Sequence, residues 1–235
     1  MSGQPAWMYD EAAMAGVDFT DPKTAEKYDE DMGSWRDIRG ENEEALRMLA
    51  PPAGGVMMEL DAGTCELSLM AARRCRHVHA VDVSAAMLAV GRRKAERAGV
   101  KNITFHAAGF LGFELSPASV DAAASHIALH HLPDFWKFVA LRRVARALRP
   151  GGRFLLKDVV FTLDGAEPEA WAEQAVEGFA RAVGPVFGER FANHVKREYS
   201  TFEWIMQGLL ERAGFRVVEQ DRPAPILKRY VCERV

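Results

Sequence analysis

From Val56 onward the chain alternates strand-length apolar runs with amphipathic segments, and this regularity limits the folds open to it. VMMEL (56–60), HVHAVDV (77–83), ITFHAA (103–108), VDAAASHIAL (120–129) and RFLLKDVVF (153–161) read as strands. CELSLMAARRC (65–75), SAAMLAVGRRKAERAG (84–99) and PDFWKFVALRRVARAL (133–148) read as helices. Ser84 is placed to cap the second helix and Gly99 to close it, while Arg149-Pro150-Gly151-Gly152 stops the third. Strands joined through helices are parallel neighbours, so the pattern predicts an α/β fold, a mostly parallel sheet with helices on both faces.

Three segments depart from this rhythm. Residues 1–50 are polar and acidic, with Tyr28, Trp35, Ile38, Leu46 and Leu49 at roughly helical intervals, and predict an N-terminal cap of short helices. Pro51-Pro52-Ala53-Gly54-Gly55 ends that cap, and the α/β domain is expected over 51–235. Ala- and Glu-rich sequence over about 164–200 predicts a helical lid inserted in that domain. Beyond it, Ser200/Thr201 with Glu203 resembles a capping box, followed by a helix to Gly214 and strands FRVVEQ (215–220) and LKRYVCERV (227–235). The turn between these strands is too short for a crossover, so they should run antiparallel.

Lys+Arg 30 against Asp+Glu 33 leaves a net charge of −3, which argues against a nucleic-acid or anionic-membrane partner. No apolar run approaches the roughly 18 residues of a membrane span, and acids stand where a signal peptide would be basic, so a cytoplasmic protein is expected. Cys65, Cys75 and Cys232 lack paired spacing, so neither a disulfide framework nor a metal site is expected.

Ligands of open α/β sheets collect outside the carboxyl ends of the strands. The first such loop is Glu59-Leu60-Asp61-Ala62-Gly63-Thr64-Cys65, leading into a helix N-terminus. Asp82 follows Gly63 by 19 residues, at the end of the next strand, where an acid can accept from both ribose hydroxyls. A nucleoside-containing cofactor fits this spacing.

With Val81-Asp82-Val83-Ser84-x-x-Met87-Leu88, Ala128-Leu129-His130-His131-Leu132-Pro133-Asp134 and Leu148-Arg149-Pro150-Gly151-Gly152, the loop resembles the class I S-adenosylmethionine-dependent methyltransferases, especially the small-molecule, quinone-biosynthesis-like type. The likeness covers about 55–161 and returns at Ala213-Gly214-Phe215. It implies a Rossmann-like seven-stranded sheet whose last strand is antiparallel. It also implies S-adenosylmethionine as cofactor, with S-adenosylhomocysteine as product and a small-molecule acceptor. A homodimer is left open. Around the cofactor it places Glu59, Asp61, Gly63, Cys65, Asp82, Val83, Met87, Gly109, Phe110, Ser125 and His126. His130 and His131 fall at the acceptor end, where an imidazole that titrates near neutral pH can take a proton.

Two departures bear on this expectation. The family carries glycine at the positions of Asp61, Gly63 and Cys65, and only Gly63 keeps it. Asp61 and Cys65 are therefore expected to put side chains beside the cofactor, and a carboxylate about 4 Å from the cofactor's own would repel it by about 4 kcal/mol at an effective dielectric of 20. After the third strand, where relatives place an acid facing adenine, the chain has Ala108-Gly109-Phe110-Leu111, with Phe110 able to stack on the base. Alternatives are a degenerate family member serving as a binding module, and a nicotinamide oxidoreductase. The latter is disfavoured by the single glycine between Asp61 and Glu66.

Overall fold

The structure is a computed structural model that describes residues 5–12 and 19–235. Seven strands form the main sheet: β1 (Val56–Leu60), β2 (His77–Asp82), β3 (Ile103–Ala107), β4 (Val120–His126), β5 (Leu148–Phe161), β7 (Phe215–Ala224) and β8 (Leu227–Arg234). Their order is β3-β2-β1-β4-β5-β8-β7, and a two-residue β6 (Thr201–Phe202) pairs beside β5. β1 through β5 pair in parallel, whereas β8 runs antiparallel to both of its neighbours.

The strand period of two sorts side chains between the faces. Val56, Met58 and Leu60 of β1 join Phe154 and Leu156 of β5 under α5 (Asp134–Ala147) and α8 (Glu203–Ala213). Met57 and Leu155 point oppositely, toward α2 (Ile38–Leu49) and α3 (Glu66–Ala71). Each fully buried aliphatic side chain of this kind contributes about 1.5–3 kcal/mol. α4 (Ala85–Arg97) starts at Ser84, whose Oγ accepts from the Met87 N–H at 3.1 Å.

Two local expectations are corrected. β5 begins at Leu148, before the Pro-Gly-Gly stop: Val120 pairs with Leu148 and Ala122 with Arg153, so residues 149–152 bulge out of one continuous strand. Ser200 and Thr201 form no capping box, because the Ser200 Oγ lies 2.6 Å from His194 Nε2 and the Thr201 Oγ donates to Asp134 at 3.2 Å. Tertiary partners have taken both hydroxyls.

α1 (Pro22–Gly33) lies on α4 through Ala25 and Tyr28, packed with Met87 and Val90. α2 is tied down where Glu41 receives hydrogen bonds from Arg36 at 2.6 Å and from Lys157 of β5 at 2.6 Å. Residues 1–4 and 13–18 of the expected cap lie outside the described residues. Within 164–200, α6 (Pro168–Ala182) and α7 (Pro185–Arg197) pair closely, since a Cβ on Gly188 would sit 2.8 Å from the Ala180 Cβ. No helix among the described residues is long and apolar enough to cross a membrane.

Candidate active site

The turn after β1 is held by the acid at the end of β2. Asp82 accepts from the Gly63 N–H at 2.7 Å and, through its other oxygen, from the Ser84 N–H at 2.7 Å. Asp61, Gly63 and Cys65 all adopt left-handed backbone, with φ of 56°, 52° and 66°. Glycine reaches this conformation freely and aspartate with modest strain, whereas cysteine meets a cost of about 1–2 kcal/mol. Glu59 is buried and faces α3, accepting from the Ser68 N–H at 2.8 Å and its hydroxyl at 2.5 Å. Burial pushes its carboxyl up to about 8 against the pull of those two hydrogen bonds.

The expectation that Cys65 intrudes on the cofactor crevice is corrected. Its side chain is fully buried with Ala62, Ala80 and Leu88, turned toward α4. Gly91 makes this possible, because a Cβ there would lie 2.5 Å from the Cys65 Sγ. The cysteine that replaces a loop glycine is thus received by a glycine on the facing helix. Burial first, and the Glu59 and Asp82 carboxylates after it, push the thiol up, which leaves an inert group. The Asp61 carboxyl is raised well above the usual range by burial and by Asp82, with His130 pulling the other way.

Phe110 is buried with Leu111 and Phe113 in the main core cluster. An acid from elsewhere in the chain reaches the loop after β3. Glu11 lies against Gly109, its Cδ 2.5 Å from where a Cβ would stand, and accepts from the Leu111 N–H at 2.9 Å. Burial raises its carboxyl, opposed by the Leu111 and Phe110 amides. On the other side, Met87 and Tyr28 stand over Gly63, with the Met87 Cε 3.5 Å and the Tyr28 Cε1 4.0 Å from a Cβ built there. Thr64 donates to Asp29 of α1 at 2.5 Å, so α1 covers the turn. Val83 links β2 to the Ser84 cap and is half-buried.

Beyond Asp61 stands a buried polar chain. His130 Nδ1 lies 2.5 Å from Asp158, and its Nε2 3.1 Å from Glu198. His194 Nδ1 reaches the same Glu198 oxygen at 2.6 Å, and His131 Nδ1 stands 3.9 Å from it. Burial alone would lower the His130 pKa, but the two carboxylates raise it to about 9. Burial and the neighbouring His130 hold His131 down to about 4. The first ring is a cation and the second a neutral base. Glu198 is fixed because the Tyr199 N–H donates to the His130 carbonyl at 2.9 Å.

His194 and Glu198 also line a cavity of about 580 Å³, whose apolar walls include Trp35, Phe179, Phe187 and Phe191. Among the described residues, Ser125 Oγ and His126 Nε2 are buried at the end of β4 without a hydrogen-bond partner. Burial, with Lys157 and Arg36 adding to it, holds His126 down to about 3, so the ring is neutral. A polar ligand at the strand ends would satisfy such atoms. Together with the withdrawal of Cys65 and the backbone turn at Gly63, they make this chain's residues fit an adenosyl sulfonium.

Asp158, Glu198, His194 and Glu11 went unnoticed in the sequence. Only Asp158 left a signal there, as an acid inside the apolar run LLKDVVF.

A parallel sheet closed by β8 between β5 and β7, with the β2 acid tied to a glycine turn after β1, defines a class I S-adenosylmethionine-dependent methyltransferase. Residues 58–152 match the methyltransferase-domain family. An uncharacterized methyltransferase of Geobacillus thermodenitrificans is 32% identical over 83% of each chain. A demethylmenaquinone methyltransferase of Listeria monocytogenes is 27% identical over 77% of this chain and 73% of its own. The solved SAM-dependent methyltransferase from Aquifex aeolicus superposes with a TM-score of 0.64 at 18% identity, covering 92% of this chain and 99% of the other. The chain belongs to the methyltransferase family.

Proposed function

We propose that this methyltransferase acts in the cytoplasm on a small organic acceptor with an apolar ring, received in the cavity beneath α6 and α7. The observation that carries this reading is that the buried histidine chain opens into the cavity: His130 Nε2 stands 3.1 Å from Glu198, and Glu198 with His194 lines the cavity wall. S-adenosylmethionine supplies an activated methyl group for in-line displacement, which leaves the protein the task of alignment. Gly63, Asp82, Val83 and Met87 would hold the nucleoside end, with Ser125 and His126 adding polar contacts and Gly109 the approach near Glu11. Glu59 would act at one remove, by fixing α3. Asp61, whose carboxyl burial and Asp82 hold toward the neutral acid, would face the charged amino-acid end without setting a full negative charge against it.

His131, kept neutral, is the group able to take a proton from an acceptor oxygen or nitrogen. His130, locked between Asp158 and Glu198, would position it. The Listeria relative's name points to a quinone-type acceptor, whose flat ring suits an aromatic-walled cavity.

The test is calorimetric titration of the purified chain with S-adenosylmethionine and S-adenosylhomocysteine, followed by transfer of labelled methyl to a panel of hydroxylated apolar rings. Saturable heat and label in at least one ring are expected. No heat at millimolar ligand from folded protein would overturn the proposal.

A further inference from the structure

We propose that His130 Nε2, His131 Nδ1 and Glu198 form a binding site for one divalent transition ion of the zinc type, at the boundary between the cofactor crevice and the cavity. These three ligand atoms all lie within 4.8 Å of one another. Around Glu198 Oε2 the two ring nitrogens stand at 3.1 and 3.9 Å. Ligands about 2.05 Å from a tetrahedral ion are about 3.3 Å apart, so closing the set from separations of up to 4.8 Å takes combined side-chain shifts of no more than about 1.5 Å. Two imidazoles and one carboxylate are a donor set that zinc favours when one position is kept open for another ligand.

The surroundings orient these ligands. Metal-bound histidine characteristically donates its remaining N–H to a carboxylate, and Asp158, fully buried, stands 2.5 Å from His130 Nδ1. The ion would bind the neutral ring at Nε2, displacing to solvent the proton that Nε2 now shares with Glu198, while Nδ1–H stays on Asp158. Glu198 is steadied by His194 at 2.6 Å, and the backbone bond from Tyr199 to His130 ties the two ligand segments together. The fourth position has an entry path, since Glu198 and His194 line the cavity. An acceptor oxygen entering there would complete the coordination, and the ion would lower the pKa of that O–H so that its proton passes to solvent, since coordination takes His131 out of use as a base.

The ligands come from residues 130–131 and 198, so no short spacing in the sequence announced them. A second histidine group, His77, His79 and His106 on β2 and β3, has His79 Nδ1 3.0 Å from His106 Nε2, and it serves as the internal control.

The experiment uses the full chain without an affinity tag, stripped with chelator and dialysed against Zn²⁺, with Co²⁺ as the visible probe. One ion per chain is expected, together with Co²⁺ d–d bands of low coordination number and a rise in Tm with Zn²⁺. Stoichiometric binding should be lost in Glu198→Gln and weakened at least tenfold in His131→Asn, while His79→Ala binds as the parent does. Should Glu198→Gln fail to fold, as its melting curve would show, the half-exposed His131→Asn decides. No stoichiometric binding by the parent chain overturns the site, as does binding retained in His131→Asn or lost in His79→Ala. All readouts are of binding, so the outcome is independent of whether an acceptor is found.

Discussion

The pairing of Cys65 with Gly91 can be tested by a double-mutant cycle. Gly91→Ala alone places a methyl 2.5 Å from the Cys65 Sγ and 2.9 Å from its Cβ, inside a fully buried contact. Overpacking of this kind costs about 1–3 kcal/mol, against a helix-propensity gain of about 1 kcal/mol from replacing glycine with alanine within α4. The net expectation is a loss of about 1 kcal/mol. Cys65→Gly alone removes about 1–2 kcal/mol of left-handed strain at φ 66° but also a fully buried side chain, and these offset to near zero. In the double variant both sulfur-side clashes are gone, and only the Thr64 carbonyl at 3.3 Å crowds the new methyl. Alanine at 91 should then be neutral or stabilising, giving a coupling of about 1–2 kcal/mol. Urea denaturation of the four proteins measures it, read from the midpoints at constant m. Additivity within about 0.5 kcal/mol would refute the account of how this chain tolerates cysteine in its cofactor loop.

Other perturbations probe the same architecture. Asp82→Ala strands the Gly63 and Ser84 N–H groups, at about 1–3 kcal/mol each, and should lower urea stability by about 2–4 kcal/mol and abolish S-adenosylmethionine heat; unchanged stability would count against Asp82 as the tie of the loop. Gly109→Ala should expel the Glu11 carboxylate, raising hydrogen exchange at the Leu111 amide at least tenfold by NMR, and equal exchange would show that Glu11 does not hold that loop. Glu41 is half-buried, which would raise its carboxyl, but Arg36 and Lys157 bring it down to about 2 from an ordinary 4.5. A depressed carboxyl stabilises the fold above its unfolded pKa and loses that contribution as pH falls through the folded one. The stability difference between the parent and Glu41→Gln should therefore be about 2 kcal/mol near pH 6 and shrink progressively below about pH 4.5. A pH-independent difference would show that Glu41 is not ionised in an α2–β5 tie.

Much of the scaffold was legible in one dimension, because strand and helix periods, the Ser84 cap and the Gly99 stop act within a few residues of themselves. The β1 turn and Asp82 were legible for a related reason: adjacent parallel strands in a βαβ unit bring their carboxyl ends together at a fixed chain distance. Tertiary structure alone decided where the substituted loop residues point, since Cys65 is turned away only because Gly91 leaves room 26 residues later. It also decided that Glu11 reaches Gly109 and that Glu198 and His194 meet His130. Local propensities carry no information about which distant segments a folded sheet will bring within a few ångströms. That depends on strand order and on the packing of α1 and α7 over the strand ends, where burial then fixes the charge of each group.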